Sequence, residues 1–149
     1  MNEPSEKTAP ILIQVEGEDE HGGALSLITR GELIVKPGAF SLHFSAVNAE
    51  DREIVHTAID CEGDTVTIWR SAGGLAMIVC REQATFLGEY HTPLGCFKMR
   101  VFATEVRATR RGRSGRIRLT YQMAMYAAAA PSGETVLHRL DLRFRPCSA

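Results

Sequence analysis

Apolar and polar residues alternate with a period of two along much of this chain, and no other feature constrains its fold as strongly. In 115–127, Ile117 and Leu119 occupy one parity, whereas Arg116 and Arg118 occupy the other. Neighbouring residues of a β-strand point to opposite faces, so this spacing predicts a strand with one apolar and one solvated face.

The same pattern, interrupted by turn residues, predicts ten strands joined by short connections. Pairs such as Pro37-Gly38 and Gly63-Asp64 favour tight turns, because glycine adopts positive φ without steric cost. In 96–109 the apolar parity changes after Ala103, which predicts a β-bulge near 102–105. The predicted strands are 11–16, 25–36, 40–47, 54–59, 65–70, 75–80, 85–90, 96–109, 115–127 and 135–145.

A meander of this length has to protect its edge strands, and closure into a barrel removes those edges. The 149 residues suit a single domain with one core. We therefore predict an all-β fold, a single antiparallel meander closed into a β-barrel of about 8–10 strands. The barrel domain is predicted to cover 10–146, and 1–9 is predicted to be a disordered N-terminal tail.

The net charge of −1 conceals a strong asymmetry. Residues 1–97 carry 6 Lys and Arg against 15 Asp and Glu, whereas residues 98–149 carry 11 against 3. Arginines on the solvated faces of the last strands suit a polyanion or an acidic protein as partner. Barrel closure, however, places the last strands beside the acidic first ones, where Arg139 to Arg145 can pair with Glu16, Glu18, Asp19 or Glu32. The basic patch consists of Arg116, Arg118, Arg139 and Arg143.

The polar start of the chain lacks the apolar stretch of a secretory signal, and the apolar run 123–130 is too short to cross a bilayer. We therefore predict no membrane association. No Cys-x-x-Cys pair occurs among the four cysteines, which argues against a zinc ribbon or a redox motif. Reduced thiols and a cytoplasmic location are expected.

Motifs for catalysis or cofactor binding are absent from the sequence. It has no Gly-x-Ser-x-Gly, no glycine-rich phosphate loop and no closely spaced histidine pair, so neither a metal nor a cofactor is predicted. Glu89, Tyr90 and His91 leave a hydrolase or isomerase open as a weaker alternative. Alternation places Tyr90 on the face opposite to Glu89 and His91, and the following Thr-Pro-Leu-Gly is typical of a rigid turn whose backbone we expect Tyr90 to hydrogen-bond.

The motif Tyr-x-Thr-Pro-x-Gly occurs at Tyr90, Thr92, Pro93 and Gly95. It resembles the signature of the YwiB-like family of uncharacterised bacterial proteins, and the resemblance extends over 10–145. It implies a calycin-like barrel, related in architecture to the lipocalins, and no assigned biochemical function. Where relatives often have Tyr and Glu on the third strand, this chain has Phe44 and Ala46, which favours a less polar ligand.

The leading functional prediction is non-enzymatic binding of a small, largely apolar ligand inside the barrel. Small barrels either hold one ligand or are filled by side chains, and methionines provide an adaptable lining. The alternation of apolar and polar residues is equally compatible with a core filled by side chains and with a homo-oligomer. The residues expected to line the interior are Phe44, Arg70, Met77, Met99, Tyr121, Met123 and His138, with Arg70, Tyr121 and His138 orienting the ligand.

Overall fold

A computed structural model describes residues 7–47, 52–71, 74–127 and 134–147, and it confirms the all-β prediction. In these ranges no helix is long and apolar enough to cross a membrane. The ten strands are β1 (Lys7–Asp19), β2 (Ala24–Lys36), β3 (Ala39–Val47), β4 (Ile54–Glu62), β5 (Thr65–Ser71), β6 (Leu75–Arg81), β7 (Thr85–Thr92), β8 (Gly95–Arg111), β9 (Ser114–Ala127) and β10 (Thr135–Pro146).

Backbone pairing closes these strands into one antiparallel barrel, as predicted. Each strand pairs with the next strand in the chain, and β1 pairs with β10 from Ile11–Pro146 to Asp19–His138. Closure provides a hydrogen-bonding partner for the first and the last strand, so the sheet has no free edges. It also places the acidic first strand beside the basic last one.

The first strand begins earlier than the alternation indicates. Residues 7–9, predicted to belong to a disordered tail, pair with residues 33–35 of β2. The stretch from Lys7 to Pro10 shows no alternation of apolar and polar residues. Its strand conformation is therefore evident only from its backbone pairing with β2. The rest of the predicted tail, 1–6, lies outside the described residues.

A register shift between Ala103 and Glu105 confirms the predicted β-bulge in β8. Before the shift Val101 occupies the inward parity, and after it Val106 does so. The backbone N–H of Val106 donates to Glu82 Oε1 at 3.1 Å, so a side chain from the β6–β7 connection supplies an acceptor beside the bulge.

The barrel interior is divided along its axis into two halves. In the packed half, the Phe40 and Phe144 rings lie 5.7 Å apart and the Arg110 guanidinium lies 5.9 Å from the Phe40 ring centre. The packed half is defined by fully buried side chains that include Ile13, Leu33, Leu42, Ile59, Ile117 and Leu142. The open half is defined by inward-facing side chains that are only half-buried, namely Thr29, Phe44, Thr57, Ala76, Tyr90 and His138.

Gly31 of β2 has no room for a side chain between its neighbours on β1 and β3. A Cβ atom there would lie 2.5 Å from the His43 carbonyl oxygen and 2.6 Å from Ile13 Cδ1. We expect Gly31→Ala to lower the free energy of unfolding in urea by about 1–3 kcal/mol, because the strand backbones must move apart.

The matched control is Gly17→Ala in β1, where the nearest atoms to an added Cβ lie 3.6–3.8 Å away. This variant should be neutral or more stable by up to about 1 kcal/mol, since glycine in a strand carries an entropic cost. Equal stability of the two variants would contradict the close approach at Gly31.

Candidate functional site

Three polar side chains lie on the inner wall of the open half, Thr57, Arg70 and Tyr90. With Ala76 between Arg70 and Tyr90, they are successive cross-strand neighbours from β4 to β7. They occupy the inward parity, because Arg70 lies two residues beyond the buried Ile68. On this side of the barrel the open half therefore presents a guanidinium and a phenol.

Tyr121 and His138 form the other polar element of the open half. Their rings are stacked across the β9–β10 pair, with centroids 5.2 Å apart and planes inclined by 16°. Burial raises the pKa of Tyr121 to about 12, with nearby Cys80 adding to the effect and Arg70 opposing it. Burial lowers the pKa of His138, against the attraction of Asp19 and Glu20. Both rings are therefore neutral near pH 7.

Arg70 provides a charged group that the fold itself does not use. In the described part of the chain it makes neither a salt bridge nor a side-chain hydrogen bond, and it is exposed at the open end. A guanidinium presents several donors in a fixed plane and favours carboxylate or phosphate acceptors.

Six of the seven residues predicted to line the interior lie at inward positions: Phe44, Arg70, Met99, Tyr121, Met123 and His138. Met99 is 1% exposed and is therefore part of the packed wall. Met77 was assigned wrongly, because it pairs with Trp69 on the outer face of the barrel. Residues 75–80 are apolar at both parities, so alternation could not assign their faces.

The β7–β8 hairpin has the predicted rigid turn. Thr92 Oγ1 donates to the Gly95 carbonyl at 3.0 Å and accepts from the Leu94 N–H at 3.1 Å, and Gly95 adopts φ 140°. Tyr90, expected to hydrogen-bond this turn, instead faces the barrel interior opposite Phe97. That expectation was wrong because the Thr92 hydroxyl makes the turn's side-chain bonds.

A cluster of ionisable groups lies on the outer face of the same hairpin. His91 is opposite Cys96, and Glu89 is opposite Lys98. Hydrogen bonding to Lys98 lowers the pKa of Glu89 and raises that of Lys98, while desolvation and the Glu89 charge raise the pKa of Cys96. Among the described residues, Glu89, His91 and Cys96 are the one group of three side chains close enough to hold a metal ion.

The sequence pattern does not reveal this cluster, because Cys96 reaches it across the hairpin rather than along the strand. The three residues considered for acid–base catalysis do not converge, since Tyr90 lies on the inner face and Glu89 and His91 lie on the outer face.

The arginine surface is the outer face of β8 to β10, where the predicted basic patch lies: Arg116, Arg118, Arg139 and Arg143. Arg116 donates to both oxygens of Asp141, at 2.9 and 2.6 Å, and Arg139 Nη1 lies 3.5 Å from Glu18 Oε1. The second contact confirms that barrel closure pairs the basic last strand with the acidic first one.

Part of the arginine surface makes no direct ion pair. Within the described ranges, Arg143 and Arg145 form no salt bridge. The Arg116 hydrogen bond and, less strongly, the nearby Arg143 charge lower the pKa of Asp141. Arg145 and Arg30 flank Leu12 on neighbouring strands, which places their backbones about 10 Å apart. The sequence did not indicate the contribution of Arg30, because more than a hundred positions separate it from Arg145.

A groove of about 520 Å³ lies along β2 to β5, and Phe44, Thr57 and Arg70 of the open half belong to its lining. Trp69, 39% exposed, lines it together with His43, His56 and Arg30. His56 Nδ1 is hydrogen-bonded to Ser45 Oγ at 2.6 Å. Neither Trp69 nor the two histidines were among the predicted site residues, because alternation identifies the outer face but not its concave regions.

The fold and its open half define a calycin-like ten-strand barrel. The chain belongs to the family described as a domain of unknown function, DUF1934, whose model matches residues 11–138. Its structure is similar to the crystal structure of the ywiB protein from Bacillus subtilis, with a TM-score of 0.80 and 18% sequence identity over 97% of this chain and 96% of that one. No curated protein matches the chain.

The Tyr121–His138 stack makes a prediction about pH. Because burial lowers the pKa of His138, the unfolded state binds its proton more readily than the folded state does. The stability contributed by neutral His138 is present above about pH 6.5, the ordinary histidine value, and is lost as the pH falls below it. NMR titration should place the His138 transition below that value, and Tyr121→Ala should move it upward. A transition unmoved by Tyr121→Ala would show that the stack does not bury His138.

Proposed function

We propose that this protein binds a small, largely apolar ligand with one anionic end in the open half of the barrel, without catalysing a reaction. The observation that carries the proposal is Arg70, an arginine at an inward position of the open end that lacks an acidic partner among the described residues. Unpaired cationic groups next to a partly desolvated site favour an anionic ligand group.

The division of the barrel interior supports this assignment. The packed half already has a continuous apolar core, so ligand binding is not needed to complete the fold. In the open half, half-buried Phe44 and Met123 offer apolar surface, and Tyr121 and His138 offer a donor and an acceptor at its edge. An apolar lining with a few convergent polar groups is typical of small-molecule sites.

The cysteines support a cytoplasmic setting for this binding. All four are free thiols. Burial raises the pKa of Cys61 and Cys80 to about 12, so both are unreactive at neutral pH. Four thiols without a disulfide are typical of a reducing compartment.

The probe 8-anilinonaphthalene-1-sulfonate combines apolar rings with an anionic group and becomes fluorescent in apolar surroundings. We expect saturable binding of one probe per chain, and we expect Arg70→Met to raise its Kd at least about tenfold, since a charge-assisted hydrogen bond contributes about 1.5–3 kcal/mol. Native mass spectrometry of protein purified from its own host should identify the natural ligand.

The control for this experiment is Arg81→Met on the neighbouring strand. Arg81 lies on the outer face, where it pairs with Asp64 at 3.4 Å, and its replacement should leave the Kd unchanged. An equal effect of the two variants, or a Kd unaffected by Arg70→Met, would contradict binding in the open half.

The arginine surface supports a second candidate function, binding of a polyanion. Its basis is the set of arginines that form no salt bridge among the described residues, Arg143 and Arg145 with Arg30 beside them. Arg116 and Arg139 contribute less to such a surface, because each already forms a salt bridge with a carboxylate.

We expect heparin to retain the protein at low salt and to release it steeply as the salt concentration rises, because counterions compete for the arginines. Arg143→Glu with Arg145→Glu should abolish retention. The paired change Arg107→Glu with Arg81→Glu, at two exposed arginines that already contact carboxylates, is the control and should reduce retention less. Absence of retention at low salt would rule out this second function.

A further inference from the structure

Three metal-ligating side chains of different chemistry meet around a single atom, Glu89 Oε2. His91 Nε2 lies 3.2 Å from this oxygen, and Cys96 Sγ lies 3.6 Å from it. All three donor atoms lie within 4.8 Å of one another. The imidazole, thiol and carboxylate are thus assembled on one face of the β7–β8 hairpin.

The two separations from Glu89 Oε2 match those of ligands around a tetrahedral zinc ion, and His91 Nε2 and Cys96 Sγ lie within 4.8 Å of each other. With Zn–N and Zn–O near 2.1 Å and Zn–S near 2.3 Å, tetrahedral geometry places N and O about 3.4 Å apart and S and O about 3.6 Å apart. An ion at this place therefore requires only that His91 Nε2 and Cys96 Sγ, within 4.8 Å of each other, adjust to the tetrahedral separation by side-chain rotation.

The hairpin holds this arrangement through its backbone. The two-residue turn between Thr92 and Gly95 fixes the register that puts His91 opposite Cys96. Lys98 Nζ lies 2.5 Å from Glu89 Oε1, which leaves Oε2 directed at the other two donors. Such an outer contact orients a ligating carboxylate in known metal sites.

We propose that Glu89, His91 and Cys96 form a binding site for Zn²⁺ or a similar borderline-soft divalent cation on the outer face of the barrel. A thiolate and an imidazole select such cations over Mg²⁺ and Ca²⁺, which prefer oxygen ligands alone. The cluster is exposed, so the fourth coordination position faces solvent and is available to water or to a ligand from outside the chain. The site is separate from the open half, because its side chains lie on the opposite face of the strands.

The test uses Zn²⁺ and Co²⁺ with the full-length protein and without a purification tag. Calorimetry should show one saturable Zn²⁺ site per chain. Co²⁺ should produce the intense near-ultraviolet band of a thiolate–cobalt bond and the visible bands of a tetrahedral ion. Cys96→Ser should abolish the thiolate band, and Cys96→Ser, His91→Ala and Glu89→Gln should each weaken Zn²⁺ binding at least about tenfold.

Matched controls replace residues of the same types outside the cluster. Cys147→Ser changes another thiol that is not fully buried, and His21→Ala removes an exposed histidine that pairs with Glu134 at 3.0 Å. Both should retain wild-type affinity and the cobalt spectrum. The proposal would be overturned by a wild-type protein without saturable Zn²⁺ binding, by a Co²⁺ complex lacking the thiolate band, or by equal losses in the Cys147→Ser and Cys96→Ser variants. Circular dichroism of each variant separates loss of a ligand from loss of the fold.

Discussion

The pairing of β1 with β10 is the constraint on which the rest of this structure depends. Without it the meander would have two free edges and no enclosed interior. With it, every strand acquires a definite inner and outer face, because cross-strand partners share a face around the whole ring. The same closure sets Glu18 beside Arg139, so the opposite charges of the two chain ends compensate one another on the outside of the barrel.

Alternation predicted the faces of a strand wherever one face is apolar and the other is charged. In β9 and β10 the polar parity carries arginines, so the inward positions of Tyr121 and His138 could be read directly from the sequence. Alternation does not distinguish the two faces of β6, because both parities are apolar, and the inward assignment of Met77 was therefore wrong. It also failed at Lys7, where pairing with β2 rather than side-chain pattern makes the strand.

The candidate sites were also predictable to different degrees, because alternation describes one strand at a time. Residues of one strand that share a parity can be grouped from sequence, as Glu89 and His91 were. Groups assembled across strands require the register, which depends on turn geometry and bulges. Cys96 joins Glu89 only because the turn has two residues, and Arg30 joins Arg145 only because β1 lies between them.

The β7–β8 hairpin connects the inner and the outer site. Among the described residues β7 pairs with β6 only through Leu75–His91 and Ala76–Tyr90, whereas it pairs with β8 along its whole length. Tyr90 is therefore held from both sides, by Ala76 of β6 and Phe97 of β8, whereas β7 before Tyr90 pairs with β8 alone. A cation held by Glu89 and His91 of β7 and Cys96 of β8 would fasten those two strands together from outside. In β7, Tyr90 faces the open half, whereas its neighbours Glu89 and His91 face the outer site. An ion bound on the outer face would therefore restrict the motion of the barrel wall that an interior ligand contacts.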